Sequence, residues 1–375
     1  MKSMYDVNLN GKTVLLRIDL NTDIKRTPVM NERFIEHSKT IKELMKMKSR
    51  IVIISHQGRP GKKNFVSLKA HSKILSKLVG KKIKFVDDLY GDKAIKEIKS
   101  LENGDAILLE NVRFYDDEFS KAPKKTKFVK SIQPLVDYFI LDAFSVCHRS
   151  QTSVVGFRPA IAGRVLVNEL RGLKKMNKAP HPYTAIIGGG KVEEPLDFIE
   201  HALKNGLVDL VLTGGVVSEV LMKSDGFDIP VDDNKISKRI MKKYGDKIVL
   251  PLDVVGLNGT TYDVFDLPSE KFYDIGAKTI KMYKEKIKKS RSIVISKPLG
   301  VYEKKKFERG TKSIFSYVAR SKTKKFAGGG DTVAAMKKFR IPTRRFDYVS
   351  LGGGAFLEFL SGKKLPGLKI LGYYG

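Results

Sequence analysis

The 375-residue chain has one cysteine, Cys147. That excludes an internal disulfide and a cysteine-based metal cage, and it points to a reducing, cytoplasmic setting. Apolar runs long enough to span a bilayer are missing, and the N-terminus MKSMYDVNLNGK has no apolar signal core. There is no low-complexity linker and no exact repeat. The common nucleotide fingerprints are missing too. AIIGGGKV fails G-x-x-x-x-G-K-[ST] because Ala185 stands at the first glycine and Val192 at the hydroxyl position, and no loop reads G-x-G-x-x-G. Acidic residues are scarce, 41 against 71 basic, for a formal charge of +30. Nucleic acid or another polyanion is therefore a partner to consider. The lysines, however, are spread along the chain, and the dense runs at 284–289 and 304–306 are short and poor in aromatics, as a solvated surface would be.

Short apolar runs recur: TVLLRIDL, RIVIISH, DAILLENV, YFILDAF, YTAIIGG, DLVLTGG, KIVLPLDVV, SIVISKP and YVSLGGG. Each is of strand length, and most are rich in valine or isoleucine. Amphipathic segments of helical period lie between many of them. VSLKAHSKILSKLVG places Leu68, Leu75 and Leu78 near one face, and PLDFIEHALKNG behaves likewise. Strands alternating with helices predict an α/β fold with mainly parallel sheets covered on both faces. The number of strands is high for one sheet, so two doubly wound domains are expected. The segment Ala162–Pro182 reads as one helix ended by Pro180. This gives residues 1–163 as one domain, 164–180 as a hinge helix and 181–361 as the second domain.

Chemistry-bearing residues differ between the halves. The first collects Arg17, Asp19, His56, Arg59, Arg113, His148 and Arg149 at strand ends, where ligands of open parallel sheets bind. Converging guanidinium groups there suit a small anion carrying phosphate or carboxylate. The second half collects glycine loops: GGGK at 188–191, TGG at 213–215, GGGDT at 328–332 and GGGA at 352–355. In isolation GGGK fits a turn with a solvated lysine. GGGDTVAAMKKF opens a helix whose free N–H groups suit a phosphate, with Asp331 placed to hold Mg²⁺ beside it. Together the loops describe a nucleotide surface. An anion half and a nucleotide half fit a hinge-closing phosphoryl transferase that excludes water on closure.

At this point the motifs resemble those of the phosphoglycerate kinases. LLRIDLNTD, SHQGRP, LLENVRF, DAFSVCHRS, IIGGGKV, DIGAKT, GVYEKKKFERGT, GGGDTVAA and GGGAFLEFLSGKKLPGL follow in that family's order over nearly the whole chain. SHQGRP and HRSQTS are spelled as in its archaeal branch. The resemblance implies two Rossmann-like doubly wound domains. It implies reversible phosphoryl transfer from 1,3-bisphosphoglycerate to ADP, giving 3-phosphoglycerate and ATP, with Mg²⁺. It also implies that residues 362–375 fold back onto the first domain.

Carried over by position, Asp19 and Asn21 hold the glycerate hydroxyl and carboxylate end. Arg33, His56, Arg59, Arg113 and Arg149 surround the carboxylate and phosphates, with Leu20, Gln57 and Gly58 in the same binding set. Arg33 also faces the transferring phosphoryl group, and Lys191 neutralises that group from the nucleotide side. Gly189 and Gly190 belong to the same loop. Gly214 and Gly215 floor the adenine pocket, beside Pro298, and Glu303 binds ribose hydroxyls. Gly329, Gly330 and Thr332 meet the nucleotide phosphates, and Asp331 takes the metal.

The chain departs from the family at several positions. Pro195 stands where many relatives have a second lysine, Ser296 and Lys297 replace asparagine and glycine beside the nucleotide, and Leu351 replaces threonine. Cys147 is expected to be a packed small side chain. His37, His71, His181 and His201 have no motif and are expected to be surface or helix residues. Pro195 suits the first turn of the helix after GGGK. A monomer without membrane association is expected, binding nucleic acid at most without sequence preference. Two alternatives stay open: a divergent kinase of low activity, and a polyanion-binding protein on the same fold.

Overall fold

A computed structural model describes residues 1–267 and 270–375. The chain forms two compact units, Met1–Leu170 with Lys364–Gly375, and Arg171–Lys363.

In the first unit the strands are β1 (Thr13–Arg17), β2 (Arg50–Ile54), β3 (Lys84–Phe85), β4 (Ala106–Leu108), β5 (Tyr138–Leu141) and β6 (Ala160–Ala162). They form one parallel sheet in the order β3-β4-β2-β1-β5-β6. All five residues of TVLLR in β1 are buried. A central strand covered on both faces loses the polar alternation of a half-exposed one. Helix Glu32–Lys46 covers one face. Asn31 caps its start by accepting from the Arg33 N–H, which offsets one of the unpaired donors there. Phe34, Ile41 and Leu44 from this helix and Leu68 and Leu75 from the next amphipathic segment join Val14, Leu16, Ile51 and Ile53 in one core.

The second unit contains β7 (Tyr183–Ile187), β8 (Leu210–Thr213), β9 (Ile248–Val249), β10 (Asp253–Gly256), β11 (Thr261–Asp263), β12 (Phe272–Ile275), β13 (Ser292–Ser296), β14 (Lys324–Gly328) and β15 (Tyr348–Ser350). Its parallel sheet runs β15-β14-β13-β7-β8-β9. The core beside it includes Ile186, Leu212, Ile293, Ile295, Ile314 and Phe315. One feature differs from the expected pattern. KIVLPLDVV is two strands, not one. β9 joins the parallel sheet, and β10 forms a separate antiparallel sheet in the order β11-β10-β12. Pro251 divides the run because it has no N–H for a ladder. Asp253 then accepts from the Lys278 and Thr279 N–H groups at 2.9 and 2.7 Å, at the start of helix Ala277–Lys288.

The helix read across Ala162–Pro182 spans Arg164–Asn177, ending three residues ahead of Pro180. Its sequence runs from the first unit into the second. No helix among the described residues is long and apolar enough to cross a membrane.

Candidate active site

In the first unit β1 has β2 on one side and β5 on the other. The carboxyl ends of these strands flank the point where the strand order reverses, the usual ligand crevice of an open parallel sheet. Arg17 ends β1, Asp19 follows it, and Ser55 and His56 follow β2.

Asp19 is 3% exposed and lies 3.1 Å from Arg33 Nη1. It accepts from the Asn21 N–H at 2.9 Å and from the Ser145 hydroxyl. Burial alone would raise its pKa, but Arg33 and these hydrogen bonds hold the carboxyl well below the usual carboxylate range. Arg33 also donates to the Asn21 carbonyl at 3.0 Å. The Asn21 side chain accepts from the Gly58 N–H at 2.8 Å. Gly58 has φ +69°, and a Cβ there would lie 2.4 Å from the Asn64 carbonyl oxygen, so no side chain fits.

His56 is buried, and Arg17 Nη2 lies 3.0 Å from its Nδ1. A guanidinium only donates, so Nδ1 accepts and the ring proton sits on Nε2. Burial, followed by Arg17, pushes the imidazole pKa well down, and the ring is neutral. Arg113 is also buried and donates to the Gly58 carbonyl. Burial first, then the neighbouring charges of Arg149 and Arg17, lower its pKa to about 10. Its Nε and Nη2 are buried without a hydrogen-bond partner. Two such donors on a cation are costly unless an acceptor arrives. Arg59 is exposed and Arg149 half-buried, and both act electrostatically on Arg113. The structure thus brings Asp19, Asn21, Arg33, His56, Gly58, Arg59, Arg113 and Arg149 to one end of the sheet.

Two residues expected to bind substrate face the other way. Leu20 is fully buried in the core, and Ser55 takes its N–H at 3.0 Å. Gln57 is fully buried and fully used. Its Oε1 accepts from the Thr22 N–H and from His71, while Nε2 donates to the carbonyls of Thr22 and Asn64. No donor or lone pair remains on its amide for a ligand. His71 and His37 lie on helices as expected but are buried, not surface residues. His37 Nε2 accepts from the Asp19 N–H at 3.1 Å, and its Nδ1 lies 2.9 Å from Asp142. His37 is thus a positioning residue for Asp19. A lone histidine on an apolar helix face carries no sequence signal for that role. Cys147 is fully buried, and burial pushes its thiol pKa up. Its carbonyl accepts from the Gly367 N–H at 2.8 Å, which fits a packed side chain and not a nucleophile.

In the second unit the order reverses between β7 and β13. From β7 the chain goes to β8 and β9 on one side, while β13, β14 and β15 lie on the other. The loops after β7, β13 and β14 meet there. A Cβ on Gly188 would strike the Pro298 carbonyl at 1.9 Å, and Gly215 donates to the Leu299 carbonyl at 2.8 Å. Gly214 precedes helix Gly215–Ser224 in the same cluster. Gly190 and Gly330 differ from these. Neither has a positive φ, and nothing lies within 4 Å of a Cβ built on them. The fold itself does not need glycine at either place, so the bare backbone is open for close approach of a ligand.

Lys191 is exposed and makes no hydrogen bond or ion pair among the described residues. It precedes helix Glu193–Lys204, in which Pro195 is the third residue. An N–H in that turn would have no helical acceptor, so the proline removes nothing. Gly329 precedes helix Gly330–Lys338, and Asp331 is exposed in its first turn. The Thr332 hydroxyl is not available as expected, since it donates to the Gly328 carbonyl at 2.7 Å and accepts from the Lys297 N–H at 2.8 Å. Its own N–H, in the first helical turn, remains for a phosphate. Glu303 is exposed, and its carbonyl accepts from Lys338. No cluster of three or more metal-ligating side chains occurs among the described residues. Mg²⁺ bound through substrate phosphates needs only one or two carboxylates, and Asp331 fits that demand.

The family model for phosphoglycerate kinase matches residues 4–363. A phosphoglycerate kinase of Methanothermus fervidus is 38% identical over 98% of this chain and 96% of that protein. One of Thermoplasma acidophilum is also 38% identical, with the same coverage. The crystal structure of phosphoglycerate kinase from Pyrococcus horikoshii OT3 superposes with a TM-score of 0.90 at 32% identity, covering 100% of this chain and 99% of that one. The structure of phosphoglycerate kinase from Coxiella burnetii gives 0.81 at 33% identity, covering 99% and 98%. With an arginine cluster at the end of one sheet, glycine loops on the other and likeness over nearly its full length, the chain belongs to the phosphoglycerate kinase family.

Proposed function

We propose that the chain transfers a phosphoryl group between 1,3-bisphosphoglycerate and ADP, giving 3-phosphoglycerate and ATP, with the glycerate on the first unit and the nucleotide on the second. The observation that carries this reading is Arg113, a buried guanidinium with Nε and Nη2 unpaired, set among His56, Arg59 and Arg149. These groups, with Asp19 and Asn21, bind the glycerate and its phosphate. Neutral His56 offers an Nε2–H donor. On the nucleotide side, the Gly189–Gly190 backbone and the open end of helix Gly330–Lys338 offer N–H groups to phosphate. Gly214, Gly215 and Pro298 form the base side, and Glu303 meets the ribose. Lys191 and Arg33 meet the charge of the moving group from the two substrates' sides. Asp331, with the nucleotide phosphates, would hold Mg²⁺, which neutralises phosphate charge when bound. The helix Arg164–Asn177, shared by both units, serves as the hinge.

A coupled assay with 3-phosphoglycerate and ATP tests the proposal. Saturable turnover that requires both substrates is expected. ATP consumption indifferent to 3-phosphoglycerate, or none at all, would contradict it.

One observation favours an additional, weaker binding property. A cavity of about 610 Å³ at the amino ends of β13 and β14 is lined by Lys288, Arg291, Arg320, Lys322 and Lys324 and by no carboxylate residue. It suits non-specific contact with a polyanion such as RNA. Such binding should fall steeply with salt and show no sequence preference. Selective binding at physiological salt would contradict this.

A further inference from the structure

Of the three non-glycine residues with a positive φ among the described residues, Lys48, Lys297 and Arg340, Lys297 stands beside the glycine loops of the second unit. Lys297 has φ +69°, in the left-handed region that an L-residue with a long side chain adopts only at a cost. Glycine, the residue usual in relatives, would sit there freely. Backbone strain kept in a crevice of this kind goes with a functional role.

The surroundings of Lys297 supply one. Its backbone N–H is tied to Thr332 at 2.8 Å. Its side chain lies against Gly189, where a Cβ would meet Lys297 Cδ at 2.5 Å. The residue therefore joins the loops after β7, β13 and β14 at the switch point. The side chain is only 12% exposed, and among the described residues its one ionic partner is Glu194 at 3.7 Å, too far for a hydrogen bond. Among the described residues the ammonium donates no hydrogen bond. The stem is packed against the β7 loop while the ammonium reaches the crevice with its donors uncommitted, as a site for an anion requires. Lys191, in contrast, is exposed. Pro195 removes the second lysine that many relatives carry on this loop, and the chain nearby offers Glu193 and Glu194 in its place.

We infer that Lys297 is a binding residue for the nucleotide polyphosphate, supplying from the β13 loop the second cation that Pro195 removes from the β7 loop. The inference rests on the kinase reading above for the identity of the anion. Glu194 holds the side chain toward the crevice without consuming its donors. Because the side chain is already in place before ligand arrives, its contribution falls mainly on binding, whereas Lys191 acts in the transition state.

Calorimetric titration of the full chain with MgADP tests this, with 3-phosphoglycerate as the control ligand. Lys297→Met and Lys297→Gly should each weaken MgADP binding about tenfold, the loss of one charge-assisted contact. Lys297→Arg should weaken it less, and 3-phosphoglycerate affinity should not change. The glycine variant relieves the backbone strain, so it keeps the test valid if the methionine variant misfolds. MgADP affinity within twofold of wild type in a folded Lys297→Gly variant would overturn the inference. Equal loss of 3-phosphoglycerate affinity would also overturn it. The titration reads binding, not turnover. A wild type that binds MgADP but transfers no phosphoryl group would refute the kinase reading while leaving the Lys297 result to stand or fall alone.

Discussion

Lys191 and Asp274 show how much environment decides what a charged residue does. Lys191 is exposed and, among the described residues, unpaired, beside a backbone made bare by Gly190. In the proposed reaction a cation at that place would meet charge that spreads over the phosphoryl group as it moves. Lys191→Met should therefore lower kcat by roughly 10²–10³, with a much smaller change in KM for ATP. A raised KM with kcat held would make Lys191 a ground-state binding residue. Asp274 has the opposite setting. It is buried under Gly300 and Gly310, accepts from the Gly310 N–H at 2.7 Å, and leaves Oδ1 without a partner. Burial, only partly offset by that hydrogen bond, pushes its pKa up from 3.8 to about 7. Between these values the folded state binds a proton that the unfolded chain has lost. Stability from this group is therefore full below the lower value and falls as pH rises toward the upper one. Asp274→Asn should flatten that fall in urea midpoints measured from pH 4 to pH 7. An unchanged slope would show that Asp274 is ionised throughout.

Elements position the site, and they were legible in the sequence to the extent that local pattern fixes them. The run TVLLR is a buried central strand because its residues are apolar, β-branched or, in Arg17, aliphatic-stemmed, and GGGDTVAAMKKF opens a helix as its composition suggests. KIVLPLDVV was harder to read. Its apolar run is continuous, and only the missing N–H of Pro251 sends β10 to a second sheet. The network behind Asp19 was not legible at all, because Asp142 lies more than 100 residues from His37 and Thr40 in sequence. Asp142, just after β5, accepts from His37 at 2.9 Å, from the Thr40 hydroxyl at 2.8 Å and from the Val165 N–H at 2.7 Å. It thereby ties helix Glu32–Lys46 and the start of helix Arg164–Asn177 to the sheet of the first unit. Asp142→Asn must turn an NH₂ group toward at least one of these donors. A loss of about 1–3 kcal/mol in unfolding free energy follows, with a raised KM for 3-phosphoglycerate because His37 orients the Asp19 backbone. Stability within about 0.5 kcal/mol of wild type, the range of an ordinary surface change, would contradict the role given to Asp142. Gln57 and Leu20 teach the same lesson. Both stand in binding motifs by position, and only the packing shows that one bridges the separate loops at Thr22 and Asn64 and the other fills the core.

At the scale of the whole molecule, the formal charge of +30 raises the concentration of anionic substrates near both sites, and salt screens that field. KM for 3-phosphoglycerate should rise with ionic strength and more steeply with sulfate, which competes for the arginines. A KM flat between low and high salt would count against a site built on Arg59, Arg113 and Arg149. The likeness to the family was readable because motifs over nearly the full length keep their order, whereas single loops such as GGGK were ambiguous alone. What remained hidden were long-range choices: which arginine is left unpaired, and which cation replaces the missing lysine. The central claim is that this chain moves a phosphoryl group from nucleotide to glycerate without losing it to water. Following label from [γ-³²P]ATP tests it most directly. The account predicts label in the acyl phosphate of 1,3-bisphosphoglycerate, one for each ADP formed, and only when 3-phosphoglycerate is present. Label released as inorganic phosphate at the rate of ADP formation, with 3-phosphoglycerate absent, would contradict it.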